Sequence, residues 1–224
     1  MSIYVPGKVV LAQQQRIPVV IGEPWGGGYF AGYISHTADG NPTHALIVAP
    51  AATGATGGGY TLTDELAWKT TDTATPGANS AFDGAANTAA MITAGIANHP
   101  AAQFCVSLNI GGFTDWYLPS SLELDIAYFN LKPSTAANVT NAGANNYSVP
   151  LRGSNFTTTY PAQAYLSAWQ ATAGAESFVA DAHWSSTETV ASGATRWFFN
   201  NGNRGSSTKT SIYRVRAFRR IALP

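Results

Sequence analysis

Charged side chains are scarce in this chain of 224 residues. Asp, Glu, Lys and Arg together make up 11% of it, against about 25% in ordinary soluble domains. Uncharged Ala, Gly, Thr, Ser and Asn take their place, which indicates a polar but weakly solvated surface. Such a surface suits a protein held in a large assembly, and an extracellular protein also carries it. The 12 basic and 12 acidic residues balance, so the long-range field that nucleic-acid binding needs is missing, and we expect no nucleic-acid partner.

Cysteine and long apolar runs are also lacking. The single Cys105 rules out an intramolecular disulfide, and its apolar neighbours Phe104 and Val106 favour a small core residue over a reactive thiol. No stretch approaches the roughly 20 apolar residues of a transmembrane helix. No N-terminal segment combines a basic start with an apolar run of signal-peptide length. We therefore expect no membrane insertion, and a chain made and folded in a cytoplasm without a secretion signal.

Apolar and aromatic residues are plentiful enough to build a core. Hydrophobic residues make up 45% of the chain, with 6 Trp, 10 Tyr and 10 Phe, a composition that favours sheet. A chain of this length forms one large domain or a domain with an appended segment. We divide it into residues 1–50, which form N-terminal strands or an attachment arm, and residues 51–224, which form the main domain.

Local patterns predict most of the secondary structure. Two strands, 29–34 and 45–48, flank the turn Asp39-Gly40-Asn41-Pro42. Residues 51–83 are predicted as loop, and helices are predicted over 85–97, over 100–108 from Pro100, and over 120–131. The last helix has the capping-box spacing of Ser120 and Glu123. Residues 132–161 form a long connection, which is often functional.

The end of the chain predicts strands. The candidates are residues 182–187, 195–200 and 211–221. Asn201-Gly202, between the last two, is a strong hairpin signal.

Four motifs follow one another in the second half of the chain. The first is Gly111-Gly112-Phe113-Thr114-Asp115-Trp116-Tyr117-Leu118-Pro119 followed by Glu123-Leu124, and the second is Trp184-Ser185-Ser186-Thr187-Glu188. The third is Trp197-Phe198-Phe199-Asn200 with Gly202, and the last is Tyr213-Arg214-Val215-Arg216-Ala217-Phe218-Arg219. In this order they make the chain similar to the Lcl C-terminal-like family of bacterial and phage domains, in the formylglycine-generating-enzyme-like branch of the C-type-lectin fold. The resemblance covers roughly half the chain and thins out before about residue 60.

The resemblance implies an α+β, C-type-lectin-like fold with short antiparallel strands, two main helices and long loops. Phage tropism determinants with variable lectin-fold tips belong to the same broad group, so a phage particle is the implied setting. By their own chemistry the motif residues are expected to be mostly structural. An indole at an element boundary, as at Trp116 and Trp184, fills the core while its N–H reaches a partner.

The other expected structural residues are Asp115, Pro119, Glu123, Ser185, Ser186, Glu188, Arg214 and Arg216. Ser185, Ser186 and Glu188 should satisfy buried backbone, and Glu188 should pair with Arg214 or Arg216. The two arginines alternate with Tyr213, Val215 and Ala217 and so should project from the opposite face of a strand. A structural ion pair is favoured over an anion site for both.

The chain gives no pattern of catalytic or metal-binding residues. Enzymes of the implied branch use cysteines at their active site, and Cys105 alone cannot reproduce that. The four histidines, His36, His44, His99 and His183, lack metal-ligand spacing. Lectins of this fold often bind sugar through calcium with Glu-Pro-Asn or Gln-Pro-Asp and Trp-Asn-Asp triplets, which are missing here; Asn200, Asn201 and Asn203 are only a faint echo. We predict no enzymatic activity, no cofactor and no metal.

A recognition surface is the remaining possibility. In the implied fold the loops before and within the last hairpin gather at one end, so residues 140–160 and 189–209 should lie close together. Side chains of the types that binding sites favour make these the predicted ligand or receptor contacts: Asn155, Tyr160, Arg196, Phe198, Asn203, Arg204 and Lys209. Ordinary loop polarity is the alternative interpretation of each.

Three functions fit these observations. The first is a phage host-recognition protein on the tail or tail-fibre tip, which binds a host-surface glycan or protein. The second is a virion structural or decoration protein of the capsid, tail or baseplate. The third is an extracellular bacterial surface adhesin. For the first two we expect assembly into a virion in the host cytoplasm, contacts with other virion proteins through the N-terminal segment, and a homo-oligomer.

Overall fold

The computed structural model describes residues 17–56, 65–172 and 174–224. Residues 1–16 of the segment 1–50, which was predicted as N-terminal strands or an attachment arm, lie outside the described residues. The described chain is a mixed α+β structure with mostly antiparallel sheets. Its strands are β1 Pro24–Trp25, β2 Gly28–Ile34, β3 His44–Val48, β4 Leu66–Ala67, β5 Ser148–Val149, β6 Ala182–Val190, β7 Gly193–Phe198, β8 Arg204–Thr208, β9 Ile212–Tyr213 and β10 Phe218–Ala222. Its α-helices are α1 Ala51–Gly54, α2 Gly84–Thr93, α3 Pro100–Val106 and α4 Ser121–Leu131.

The largest sheet joins both ends of the described chain. Its strand order is β1-β2-β3-β10, and β5 also pairs with β2. The predicted β2–β3 hairpin is confirmed, with Phe30 opposite Ile47. Strand β10 pairs antiparallel with β3, so that Phe218 lies opposite Val48. The predicted division at residue 50 therefore falls between strands of one sheet.

A β-bulge lets helix α4 approach this sheet closely. The register of β2 shifts between Phe30 and Gly32, and Gly32 has a φ of +136°. The neighbouring Ala31 carbonyl accepts a hydrogen bond of 2.7 Å from Asn130 Nδ2 on α4. A Cβ at Gly32 would lie 2.6 Å from that same nitrogen, so only glycine fits at this contact.

The three longer predicted helices are confirmed, with shifted ends. Asp83 caps α2 by accepting from the Ala86 amide at 2.8 Å, and a 3₁₀ turn at Ile96–Asn98 separates α2 from α3. Pro100 is the first residue of α3. Helix α4 has both halves of the predicted capping box. The starts of α3 and α4 could be predicted from the sequence because capping depends on residues close together in the chain.

The second sheet corrects the prediction for the end of the chain. Strands β6, β7 and β8 form it. The turn at Asn201-Gly202 is real, and Gly202 has a φ of +74°. The predicted partner strand, residues 211–221, was wrong. Strand β7 pairs instead with the short polar β8, with Trp197 opposite Arg204.

The predicted last strand is broken into β9 and β10. Between them the Val215 amide donates to Thr56 Oγ1 at 2.8 Å, and the Ala217 amide donates to the Gly54 carbonyl at 2.9 Å. This stretch therefore bonds to residues around α1 instead of continuing a strand. Arg214 and Arg216 are buried together with Val215 and Ala217.

The stretch predicted as loop, residues 51–83, also contains regular structure. Helix α1 begins it, and β4 pairs with β9 through Leu66 and Tyr213. Two apolar clusters fill the interior, one around Tyr128 of α4 and one around Trp68 and Trp184. Within the described residues, no helix combines the length and apolar character needed to cross a membrane.

Candidate functional site

The first motif builds a buried polar cluster around Glu123. Its Oε2 accepts from the amides of Ser120 (2.7 Å) and Gly84 (3.2 Å), and its Oε1 accepts from the Tyr117 hydroxyl (2.7 Å). Burial raises the pKa of Glu123 to about 7, although hydrogen bonds and Arg220 act in the opposite direction. The carboxyl group thus ties α2 to α4, and it is fully buried, so it is closed to a ligand.

The tryptophans of the first two motifs lie in the core with their N–H groups bonded. Trp116 is 2% exposed and donates from Nε1 to the Phe113 carbonyl at 3.0 Å. Trp184 is fully buried and donates to the Leu66 carbonyl at 2.9 Å. Their polar atoms are therefore occupied by backbone.

The serines of the second motif bond to neighbouring elements. Ser185 Oγ donates to the Thr195 carbonyl at 3.0 Å, and Ser186 Oγ accepts from Asn87 Nδ2 at 3.0 Å. The Ser186 amide also donates to the Pro119 carbonyl at 2.7 Å. Strand β6 is thereby joined to both β7 and the first motif.

Asp115 is the most exposed of the motif side chains with an ion pair. Its side chain is 55% exposed and lies 2.8 Å from Arg219 Nε, with a second bond of 2.9 Å from Arg219 Nη2. The guanidinium also lies 3.9 Å from the Phe113 ring centroid. This fork fixes the Gly-Gly-Phe-Thr-Asp turn against β10.

Glu188 corrects two predictions at once. It pairs with Lys209, not with Arg214 or Arg216, and its Oε2 accepts from the Thr75 amide at 2.7 Å. Lys209, predicted as a ligand contact, is fully buried. Its ammonium group lies 4.5 Å from the Trp68 ring centroid and donates to the Thr73 carbonyl at 2.9 Å. Lys209 is therefore a structural cation, with no surface left for a ligand.

The two motif arginines pair with carboxylates outside the motifs. Arg214 lies 3.8 Å from Glu65, and Arg216 lies 3.4 Å from Glu176. The partners could not be read from the sequence, because both are far away along the chain.

The long connection after α4 is ordered by side chains of the helix. Tyr128 donates to Asn138 Oδ1 at 2.5 Å. Asn138 in turn donates to the carbonyls of Thr157 (3.0 Å) and Pro161 (2.9 Å). Lys132 closes the same loop by donating to the Pro161 and Ala136 carbonyls. Side-chain hydrogen bonds thus order this connection, whereas backbone pairing orders the strands elsewhere in the molecule.

The turn between β7 and β8 docks on this connection. The Val139 amide donates to the Asn201 carbonyl at 2.9 Å, and Ser134 Oγ donates to the Asn200 carbonyl at 3.0 Å. A Cβ at Gly202 would lie 2.5 Å from the Tyr128 ring. We call the surface formed by residues 135–161 and 199–204 the loop face. Phe156 Cε2 lies 3.1 Å from the position of that Cβ, so the segments 140–160 and 189–209, which were predicted to lie close together, meet at Phe156 and Gly202.

Arg152 is the central cation of the loop face. Its Nη2 pairs with Asp125 on α4, and its guanidinium lies 4.3 Å from the Phe129 ring centroid. Asn145 Nδ2 also donates to Asp125 Oδ2 at 2.7 Å. Burial raises the pKa of Asp125, although Arg152 and Asn145 lower it. A depression of about 110 Å³ is lined by Phe129, Arg152 and Tyr160 among others.

Four of the predicted contacts belong to the loop face. Tyr160 is 59% exposed, and its ring meets Phe129 edge-on at 5.2 Å. Asn155 is exposed and accepts from the Ala144 amide at 3.3 Å. Arg204 is exposed and Asn203 half-buried, at the docked turn. Aromatic, amide and guanidinium groups are therefore available on adjoining segments.

Arg196 and Phe198 lie instead on strand β7. They are two residues apart and so share a face of the strand, with the Arg196 guanidinium 4.5 Å from the Phe198 ring centroid. Both are half-buried. Nε and Nη1 of Arg196 are buried without a hydrogen-bond partner among the described residues. Strand β7 leads into the turn that docks on the connection, but the side chains of Arg196 and Phe198 stack on each other.

Sequence reasoning missed Arg152 and its partner Asp125. One signal could have found the arginine, because it is the only charged residue between positions 133 and 175. An arginine is rarely buried unless it is paired, so an isolated one in so long a polar segment is either solvated or held by a partner.

The loop face offers stacking and hydrogen bonding. Asp125, the carboxylate beside it, is fully buried and paired. In the part of the chain that the structure describes, no group of three or more His, Cys, Asp and Glu side chains is placed to hold a metal ion. Compared with known proteins, the chain matches no family model and no curated protein.

Proposed function

We propose that the protein is a non-enzymatic virion component whose C-type-lectin-like domain recognises the surface of a host bacterium. In this proposal the four motifs build a scaffold, and the loop face contacts a glycan or protein on the cell. The domain acts from the tail or a tail-fibre tip and is held there by other virion proteins.

The order of the four motifs supports the lectin-like part of the proposal. Their side chains are mostly buried and satisfy one another's backbone, as Glu123 and Ser186 do. The mixed α+β architecture with mostly antiparallel sheets is compatible with such a domain. Because the motif side chains are buried and hydrogen-bonded to one another, the segments between the motifs are the part of the domain whose sequence can vary.

The exposed side chains of the loop face support the proposed recognition of the host surface. Tyr160 is 59% exposed beside Phe129 and Arg152, and Asn155 and Arg204 lie on the two segments that meet there. Aromatic side chains present large, rigid contact area at low entropic cost, and Asn and Arg add hydrogen bonds. A face fixed by α4 is pre-organised, which favours binding.

Binding to cells tests the proposal. Fluorescently labelled protein should bind some strains in a panel of bacteria at micromolar concentration, and unlabelled protein should compete. Tyr160→Ala should weaken binding about tenfold or more, the effect of losing an aromatic anchor. Ile92→Ala is the matched control, because Ile92 is 50% exposed on helix α2, and it should bind like the unchanged protein.

Two results would contradict this proposal. The first is that the labelled protein binds no strain. The second is that Tyr160→Ala, Asn203→Ala and Arg204→Ala all bind like the unchanged protein, which would remove the loop face as the contact.

A second candidate, a virion structural protein, is favoured by one other surface. Val19 is 71% exposed and Tyr165 is 96% exposed, and both line a depression of about 370 Å³ together with Trp169. Exposed apolar surface of this kind marks contact with another protein. Cross-linking of purified particles would decide between the two, since a structural role requires links from Tyr165 to a neighbouring virion protein and no competition for cells.

A further inference from the structure

A second concave site lies beside Arg216, away from the residues assigned to the loop face. Its volume is about 210 Å³, roughly the liquid volume of seven water molecules. Small residues line much of it, and three of them, Ala171, Ala175 and Ala180, are exposed. Its polar lining residues are Thr56, Ser177, His183 and Arg216, and the last two are buried. The cavity thus has room for a small molecule next to a buried cation.

The hydrogen bonds of Arg216 leave part of its guanidinium unused. Nε donates to the Ala49 carbonyl at 2.6 Å. Nη2 donates to the Glu176 carbonyl at 3.3 Å and to Glu176 Oε2 at 3.4 Å. Among the described residues, Nη1 has no acceptor. An arginine carries five N–H donors in a planar fork, and this one is 2% exposed.

The pairing with Glu176 is also loose. Charge-assisted hydrogen bonds between arginine and carboxylate are about 2.7 to 2.9 Å long, and the bond of Arg216 to Glu176 Oε2 is longer, at 3.4 Å. Oε2 of Glu176 is shared with the Ala51 amide, which donates to it at 2.8 Å. Burial lowers the pKa of Arg216 to about 10, so it remains a cation at neutral pH. A second oxyanion would complete its coordination.

His183 adds a hydrogen-bond acceptor to the same cavity. Its Nδ1 lies 3.1 Å from the Asp181 carbonyl, which can only accept, so Nδ1 carries the proton and Nε2 is unprotonated. Burial lowers the pKa of His183 to about 3, and the ring therefore stays neutral. Nε2 can accept from a hydroxyl group but cannot bind an anion.

We propose that this cavity binds the carboxylate of a small hydroxylated acid, with Arg216 gripping the acid group and His183 accepting from a neighbouring hydroxyl. A guanidinium fork matches a carboxylate in geometry as well as charge. The acid is either a free small molecule or a single acidic sugar unit of a glycan. The site is separate from the cell-recognition proposal and can be tested without cells.

Calorimetric titration of the purified full chain tests the site. Galacturonate is the probe, and galactose, which lacks the carboxylate, is the matched neutral sugar. Galacturonate should bind and galactose should not. Acetate should bind more weakly than galacturonate, because it cannot donate to His183. Equal heats for galacturonate and galactose, or no binding of galacturonate, would overturn the proposal.

Variants separate the site from a purely structural role of Arg216. Arg216→Lys removes the fork and should weaken galacturonate binding at least about tenfold, the ratio expected for a lost charge-assisted bond. Because this variant disturbs the fold as well, Ala175→Phe provides a second test by blocking the mouth of the cavity. Ala162→Phe, at an exposed alanine outside the cavity, is its matched control.

Ala175→Phe should lose binding while Ala162→Phe keeps it, and unchanged binding in Ala175→Phe would sink the proposal. Glu176→Gln should bind galacturonate more tightly, since it removes the competing carboxylate. A merely structural ion pair predicts no such gain. Competition by polygalacturonate would identify the glycan as the source of the acid, and binding of the monomer alone would identify a free small acid.

Discussion

Helix α4 carries two buried carboxylates that hold two different regions. Glu123 belongs to the motif core, which we define as the side chains of the four motifs with their buried partners. It is surrounded by neutral donors, two amides and the Tyr117 hydroxyl. Asp125 anchors the loop face from beneath and is held by the charged Arg152 and by Asn145. The same helix therefore anchors a closed scaffold and an open surface by different chemistry.

The difference lies in how completely each carboxylate is satisfied. Both oxygens of Glu123 are hydrogen-bonded, whereas Asp125 Oδ1 is buried without a hydrogen-bond partner among the described residues. Buried polar groups left unpaired cost free energy. The motif core should therefore be the more stable region, and the loop face should open before the protein unfolds as a whole.

Trp116→Ala should have the largest effect, because it removes a core indole. The free energy of unfolding should fall by about 3 to 5 kcal/mol, the range for a buried aromatic replaced by alanine. Urea denaturation followed by circular dichroism measures it. Trp116→Phe keeps a ring but loses the bond to Phe113, and it should cost clearly less. A stable, soluble Trp116→Ala protein would show that the core is not where stability resides.

Asp125→Ala should have the next largest effect, and the effect should be local. Removing one partner of a buried ion pair costs about 3 kcal/mol or more, and Arg152, with 12% of its side chain exposed, can reach water and so keep the cost near that lower figure. Hydrogen exchange should accelerate at amides of residues 138–161. Exchange in β6 and β7 should change less.

Arg152→Ala and the double variant complete a thermodynamic cycle. If the pair holds the loop face, the double variant should be less destabilised than the sum of the two single variants. Strict additivity would mean that Asp125 and Arg152 act independently, and the comparison between the two carboxylates would fail.

The sequence predicted the motif core far better than the loop face. Ser120 and Glu123 are three residues apart, so the capping box could be read from local spacing. The turn at Asn201-Gly202 was likewise local. The partner of that turn was not, because β8 has no apolar alternation and its pairing depends on β7. Local chemistry thus predicts turns and caps but not which strand a turn leads to.

The contacts that order the loop face could not be read from the chain. Asp125 and Arg152 are 27 residues apart. The same difficulty arises in the motif core, where Lys209 bonds to Glu188 across 21 residues. Nothing in the spacing tells whether a polar side chain in a long connection is exposed or buried. For this reason Lys209 was predicted at the surface, whereas Arg152 was not predicted at all.

Acid should have the smallest effect, and it should act first at the β2–β3 hairpin, outside the loop face. His36, at the end of the β2–β3 hairpin, lies 3.3 Å from Arg220 Nη1, 3.8 Å from Asp83 and against the His44 ring. Burial, Arg220 and His44 lower its pKa from 6.5 to about 4, and Asp83 only partly opposes them. Between these pH values the unfolded chain binds a proton that the folded chain does not.

The contribution of His36 to the free energy of unfolding should therefore fall as the pH drops from 6.5 to 4 and level off below about 4, while Glu123, whose pKa is raised, contributes in the opposite direction. His36→Gln should flatten the curve by about 1 kcal/mol, less than the full shift implies because the imidazole is partly exposed to solvent. Burial raises the pKa of Asp125, so its contribution to stability is kept at low pH and is lost as the pH rises. Acid should accordingly speed hydrogen exchange in β2, β3 and β10 but not in residues 138–161. Faster exchange in residues 138–161 as the pH falls would contradict the raised pKa of Asp125.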